Sequence, residues 1–287
     1  MADDVVVTTS VGTFAVPDEE FARLLRQSDG HQRTDIAVMR QLVRPGDLVL
    51  DVGAFVGTVA VPLARAVGPD GCVVAFEALP VHVRMLRDNV VRNGVEATVT
   101  VVPTLISSRP GAVTAHSYEH HSSASTWYEP SDPADETALD LPSTTLDAWY
   151  ARHGEGRPVA LIKVDVEGMD LDVLRGAERI LAEHHPALHV EVASFQLARY
   201  GATLADLDRF LRRHGYRQYL NLAQRNAASD EAKLGRCAST RFFGPALGDV
   251  VAVHRSSVRA SELVDRAGYF AAQARFAKLW LKRVRER

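Results

Sequence analysis

Two carboxylates stand where apolar runs end: Asp165 follows residues 159–164, and Glu191 closes the run that starts at residue 187. Carboxylates that converge at strand ends can take a proton from an alcohol, or hold a Mg²⁺ ion through oxygen ligands. His189 precedes Glu191 by two residues, so on a strand the two side chains share a face. Asp165, Glu191 and His189 are therefore the candidate catalytic residues, and Asp165 with Glu191 the candidate Mg²⁺ ligands. Two plainer roles compete: Asp165 anchoring one end of a cofactor, and Glu191 capping a neighbouring helix.

A second group of residues has the character of a cofactor turn. The apolar run 48–52 contains Asp51 and leads into Gly53-Ala54-Phe55-Val56-Gly57. A glycine there lets backbone approach a ligand closely, but the Gly-x-x-x-Gly spacing is not the Gly-x-Gly-x-x-Gly of pyrophosphate-binding turns. Glu77 ends the next apolar run, 24 residues after Gly53, and is followed by Ala78. An acid at that point can accept hydrogen bonds from both hydroxyls of a ribose. Asp51 would face the amino end of the ligand, where a carboxylate suits the ammonium or sulfonium charge of S-adenosylmethionine (SAM). The candidate cofactor-binding set is Asp51, Gly53, Ala54, Phe55, Gly57, Glu77, Ala78, Asp165 and Ser107, the last at the head of the segment that follows the third strand. Glu167, before Gly168, reads as an acid favoured by the exposed amides at a helix start.

Elements must carry these residues, and the hydrophobic periodicity supplies them. Residues 5–16 alternate around Gly12 as a hairpin, followed by helices at 18–27 and 34–43. Strands at 48–52, 72–76 and 98–102 then alternate with helices at 57–67 and 81–92, which implies a parallel sheet with right-handed crossovers. Residues 107–143 lapse into Pro, Ser, His and acidic residues, as either a functional loop or irregular edge structure. Within them His116, His120, His121, Trp127 and Tyr128 form a candidate lid. Order resumes with helices at 144–152, 171–182 and 204–213 and strands at 159–164 and 187–192. Runs 216–222 and 250–254, with no helix between them, would pair antiparallel at an edge. The expected fold is α/β, a doubly wound class I methyltransferase (Rossmann-like) sheet of five parallel strands plus a C-terminal antiparallel pair. It reads as one domain over 1–287: an N-terminal cap (1–44), a core (45–255) and a C-terminal helix (256–287).

Composition sets the outer bounds. The 287 residues carry 33 basic and 36 acidic side chains, a net charge of −3, with 46% hydrophobic residues. That balance gives no general attraction to nucleic acid. No apolar run reaches the ~18 residues of a membrane span and the acidic start lacks a secretory pattern, so a cytoplasmic protein is expected. Cys72 and Cys237 are too few for a disulfide framework. Only four of the 33 basic residues are lysine, which reads as GC-rich coding of the kind found in bacteria. Near the C-terminus Arg275, Lys278, Lys282 and Arg283 alternate with Phe276, Leu279 and Trp280 as a basic amphipathic helix. Docking on the domain or on a sister subunit, as a homo-oligomer, is its expected role, with a membrane surface as the alternative.

The motifs resemble those of the FkbM family of SAM-dependent methyltransferases. The resemblance rests on Asp51-Val52-Gly53-Ala54, Phe76-Glu77-Ala78-Leu79-Pro80, Thr145-Leu146-Asp147, Ile162-Lys163-Val164-Asp165-Val166-Glu167-Gly168 and Val173-Leu174-Arg175-Gly176-Ala177, across residues 45–193. It implies a class I methyltransferase fold and methyl transfer to a hydroxyl oxygen of a sugar, polyketide or other small molecule, as in natural product biosynthesis. Phe55 stands where the family usually has Asn, and Ala78 where it usually has Pro. An NAD-dependent oxidoreductase and a non-catalytic SAM-fold partner protein are the alternatives. No Walker A loop, His-Glu-x-x-His or Gly-x-Ser-x-Gly is present.

Overall fold

The computed structural model describes residues 5–118, 136–221, 234–237 and 247–257. The chain opens with a hairpin, β1 (Val5–Thr9) and β2 (Gly12–Val16), and two helices, α1 (Glu19–Ser28) and α2 (Arg33–Leu42). Asp18 starts α1 by accepting a hydrogen bond from the Phe21 amide, which satisfies one of the amides a helix leaves unpaired at its first turn. The first half of the core follows: β3 (Leu48–Val52), α3 (Ala60–Val67), β4 (Cys72–Glu77), α4 (Pro80–Arg92) and β5 (Val99–Pro103). Next come β6 (Leu105–Ile106), β7 (Gly111–Tyr118), β8 (Glu136–Thr144) and α5 (Leu146–His153). The second half is β9 (Val159–Val164), α6 (Asp170–Arg175), α7 (Glu178–His184), β10 (Ala187–Ala193), α8 (Ser194–Arg199) and α9 (Leu204–Arg213). Three strands close the described chain: β11 (Tyr216–Asn221), β12 (Leu234–Cys237) and β13 (Leu247–His254).

Eight strands form the main sheet in the order β12-β11-β13-β10-β9-β3-β4-β5. The five from β10 to β5 are parallel. β13 is antiparallel to both β10 and β11, which places the expected terminal pair at the sheet's edge, and β12 adds one more antiparallel strand there. The chain leaves β3 toward β4 and β5 in one direction and returns to β9 and β10 in the other. Their shared boundary is the switch point at whose carboxyl ends a cleft opens.

Both faces are covered, as parallel strands require. Val49, Leu161 and Ala187 face α1 to α4, where Phe21, Leu25, Ile36, Leu63 and Leu86 are buried. Leu50, Ile162, Leu188 and Val190 face the other way, against Leu146, Leu174, Ile180 and Leu207. Each large apolar side chain so buried contributes about 1.5–3 kcal/mol. By the period of two, Asp51, Lys163 and His189 fall on the first face, beneath the cap.

The cap is fastened by amides that apolar periodicity does not reveal. Asn89 is fully buried; its Oδ1 accepts from the Ala15 amide (2.7 Å) and its Nδ2 donates to the carbonyls of Ala15 and Val56 (2.9 Å each). One side chain thus joins the hairpin, α4 and the turn after β3.

Several expected boundaries shift. Residues 107–143 are not irregular at their flanks: β6, β8 and β7 make a small three-stranded sheet in which β7 and β8 pair antiparallel. The expected helix at 144–152 starts at Leu146, because Thr144 extends β8 and the Thr145 hydroxyl caps the Ala148 amide. The expected helix at 171–182 is two, α6 and α7, broken at Gly176. A Cβ there would stand 2.2 Å from the Ser107 carbonyl oxygen, and its own carbonyl accepts from the Asp147 amide. His120, His121, Trp127, Tyr128 and the C-terminal helix lie outside the described residues.

Candidate active site

A cavity of about 430 Å³ opens at the carboxyl ends of β3, β4 and β9. Its size lies within the usual range for small-molecule sites. The sheet supplies one wall through Gly53, Ala54, Phe55, Glu77, Ala78, Asp165, Glu167 and Glu191, and the cap supplies Leu24, His31 and Gln32 on another.

Gly53 and Glu77 are placed by backbone constraints. Gly53 has φ +78°, and a Cβ on it would stand 1.9 Å from the Asp165 carbonyl oxygen, so no other residue fits between β3 and β9. Glu77 Oε1 accepts from the amides of Ala78 (3.0 Å) and Leu79 (2.9 Å), and Oε2 from the amide of Phe55 (2.9 Å). Both acceptor positions of Oε1 are thereby occupied, leaving Oε2 with one to spare. In this arrangement one oxygen, rather than both, offers an acceptor position toward the cavity. His82 Nδ1 lies 3.6 Å from Oε1.

Phe55 adopts φ +50°, a left-handed conformation that costs a side chain with a Cβ roughly 1–2 kcal/mol and that Asn tolerates best. The Asn of the FkbM pattern is thus the conformationally easy residue. Here edge-to-face contacts with Phe21 (5.2 Å) and His82 (4.6 Å) offset the cost. Gln32 (φ +53°) and Glu167 (φ +60°) also line the cavity in left-handed conformations. Backbone held this way needs its surroundings to enforce it, a condition that recurs at functional sites.

Lys163 is the buried cation that organises the acids. Its ammonium donates to the Gly53 carbonyl (2.8 Å) and lies 3.2 Å from Asp51 Oδ1 and 3.5 Å from Asp165 Oδ2. Burial alone would pull its pKa down, but Asp51 and Asp165 outweigh burial and hold it above the ordinary lysine range. Asp51 is raised by its own burial, with Lys163 opposing. Gln32 Nε2 donates to Asp165 Oδ2 (3.3 Å), so the cap touches the same carboxylate.

Glu167, Asp170 and Glu191 are pushed toward their protonated forms. Burial, then Asp165 and Asp170, push Glu167 up to about 10; Gln196 Nε2 donates to its Oε2 (3.2 Å). Burial and Asp165 push Asp170 up to about 7, against the amides it accepts from. Glu191 is raised well above the usual range by burial, then by Asp165 and Glu167. Glu167 gives a stability prediction with a definite sign. Between the ordinary glutamate range and about pH 10 the folded chain keeps a proton that the unfolded chain has lost, so stability falls as pH rises. The Glu167 contribution to that slope, up to about 1.4 kcal/mol per pH unit, is expected to vanish in Glu167→Gln. Urea midpoints of both proteins at pH 7.5 and 9 check it.

Most of the candidate residues are brought together, and four are not. Asp51 does not line the cavity: it is fully buried beneath the turn, committed to Lys163. Gly57 is turned away, and a Cβ there would meet Leu86 Cδ1 at 2.8 Å, which makes it a packing glycine for α4. Ser107 is displaced by the strand before it, so Thr104, Leu105 and Ile106 line the cavity instead. His189 shares a strand face with Glu191 as expected, but lies under α2 with Asp35 and Asp249 rather than in the cavity. Asp35 and Asp249 hold it above the ordinary histidine range although burial opposes them. Asp165 and Glu191, the expected Mg²⁺ pair, both line the cavity, but among the described residues no third His, Cys, Asp or Glu completes a ligand group with them. Gln32 and His82 are cavity residues that the sequence reading passed over. His82 carried a usable signal, since it stands five residues beyond Glu77, in the first turn of the helix that follows β4; Gln32 carried none.

Residues 51–218 match the family described as the methyltransferase FkbM domain. Curated proteins give no significant match. Among solved structures the chain is similar to a methyltransferase FkbM from Methylobacillus flagellatus KT, at 14% identity and TM-score 0.45 over 83% of this chain and 56% of that one. It is also similar to a precorrin-6y C5,15-methyltransferase from Geobacter metallireducens GS-15, at 12% identity and TM-score 0.42 over 84% and 94%. A SAM-dependent O-methyltransferase from Thermotoga maritima follows, at 13% identity and TM-score 0.41 over 88% and 85%. Among the described residues no helix is long and apolar enough to cross a membrane.

Proposed function

The chain belongs to the FkbM family of SAM-dependent methyltransferases, and on that premise we propose that it methylates a hydroxyl oxygen of a small molecule, with Asp165 as the base. The observation that carries this reading is the convergence of Asp165, Glu167 and Glu191 on one cavity at the sheet's switch point. When bound, SAM supplies an electrophilic methyl group on a positively charged sulfur. Fit to that cofactor is supported by the spare acceptor position on Glu77, by the carboxylates of Glu77 and Asp165, which suit a cation, and by the cavity's volume. Gly53 to Phe55, Glu77 and Ala78 are the residues that would hold it.

The chain's own groups divide the remaining work. A neutral alcohol is a poor nucleophile and must lose its proton during transfer. Asp165 is 19% exposed and faces the Lys163 ammonium, so it can take that proton at a point solvent and acceptor both reach. Glu167, held protonated by burial up to about pH 10, donates a hydrogen bond that orients the acceptor, and Glu191, pushed in the same direction by burial, lies beside it. Leu24 and His31 from the cap, with Leu105 and Ile106, enclose it and exclude water. Orientation of this kind accounts for several kcal/mol of rate enhancement.

A screen of candidate acceptors with methyl-labelled SAM, read by mass spectrometry, tests the reading. The label is expected on an oxygen of a sugar or polyketide hydroxyl. Label on carbon or nitrogen, or SAM bound with no transfer to any acceptor class, would overturn it; the second outcome would point to a non-catalytic partner.

A further inference from the structure

Outside the cavity, the structure brings together a group that the proposed chemistry does not use. Asp35 on α2, His189 on β10 and Asp249 on β13 each offer one ligand atom, and these atoms all lie within 4.8 Å of one another. Asp35 and His189 are buried, with His189 only 1% exposed. Neither ring nitrogen of His189 makes a hydrogen bond, an expensive state for a buried imidazole. Its Nε2 stands 3.6 Å from Asp35 Oδ1, beyond the normal range for a hydrogen bond. Two donors each about 2.1 Å from a tetrahedral metal ion lie about 3.4 Å apart, close to that separation.

We propose that Asp35, His189 and Asp249 bind a divalent transition-metal ion, separate from the methyl-transfer cavity. One imidazole and two carboxylates, with no thiolate, form a donor set suited to Zn²⁺, Mn²⁺ or Fe²⁺; the nitrogen ligand argues against Mg²⁺ and Ca²⁺, which favour oxygen alone. Two carboxylates also match the charge of a divalent ion. The nearest lysine across the register, Lys163, already faces Asp51 and Asp165. Asn221 Nδ2 donates to Asp35 Oδ1 (3.2 Å), a contact of the kind that orients a ligating carboxylate. The consequence is structural. The ion would fasten α2 to two sheet strands distant in sequence, and so fix the cap that brings Gln32 to Asp165. β13 opposes Asp249 to Glu191, so the ion's shell would also back the cavity wall.

The test uses the full-length protein stripped with a chelator and titrated with Zn²⁺, with bound metal counted by plasma mass spectrometry. About one equivalent is expected, accompanied by a higher melting temperature. His189→Ala and Asp249→Asn are expected to lose that equivalent, and Glu191→Gln to keep it. X-ray absorption of the Zn²⁺-loaded wild type serves if the variants fail to fold, with one imidazole and otherwise oxygen ligands expected. Less than about a tenth of an equivalent bound by the wild type, or full binding by folded His189→Ala, would overturn the proposal. So would a shell holding no imidazole, or two or more. Each readout is independent of methyl transfer, so failure here leaves the proposed activity standing.

Discussion

Asp165→Asn is expected to lower kcat by about 10²–10⁴-fold, while the affinity for SAM changes less than about tenfold. The substitution keeps size and the ability to accept from Gln32, but removes the group proposed to take the acceptor's proton. Lys163 keeps its contacts with Asp51 and the Gly53 carbonyl, so the turn proposed to hold the cofactor is not undermined. A pure anchoring role for Asp165 gives the opposite pattern, weakened SAM binding with kcat preserved at saturation. Calorimetric titration of SAM beside steady-state kinetics separates the two. Glu191→Gln is a useful companion, because a group that burial pushes toward its protonated form loses less when made an amide. Its kcat is expected to fall less than that of Asp165→Asn.

The second large effect is on stability. Lys163→Met is expected to destabilise the fold by about 3–5 kcal/mol, the usual consequence of removing one partner of a buried ion pair. Asp51 is fully buried and its ion-pair partner is Lys163, so its charge would be left uncompensated. The Gly53 carbonyl would also lose a donor at the base of the turn after β3. Much of the penalty belongs to the orphaned acid rather than to the lost attraction. The double variant Asp51→Asn/Lys163→Met is therefore expected to recover a measurable part of it, a coupling that a double-mutant cycle in urea reads directly. Equal instability of the single and double variants would mean that Lys163 acts through packing alone.

What could be read from the residues differed between the sheet and the site. The alternation of β-branched runs with helical stretches located all five parallel strands and the antiparallel edge pair, because burial on both faces leaves a strong apolar signal. The same signal is silent on short elements such as β12 and α8, and on a break such as Gly176, where contact with the Ser107 carbonyl decides the outcome. In the site, Glu77, Asp165 and Glu191 were legible since an acid is out of place at the end of an apolar run. The depth of a side chain was not. Asp51 and His189 lie on the right strands and the expected face, yet a cation and a pair of acids below the cavity claim them. Gln32 reaches Asp165 only because the cap folds back across 133 positions of sequence, a contact with no local signature.

The most direct test of the central claim, that this cavity holds SAM through Glu77 and the turn after β3, is a calorimetric titration of SAM into the wild type and into Glu77→Ala, with NAD as the control ligand. Saturable binding of SAM by the wild type is expected, weakened about 10–100-fold in Glu77→Ala by loss of a charge-assisted hydrogen bond of about 1.5–3 kcal/mol, with no binding of NAD. Tight binding of NAD without SAM, or SAM affinity unchanged when a folded Glu77→Ala is titrated, would contradict it.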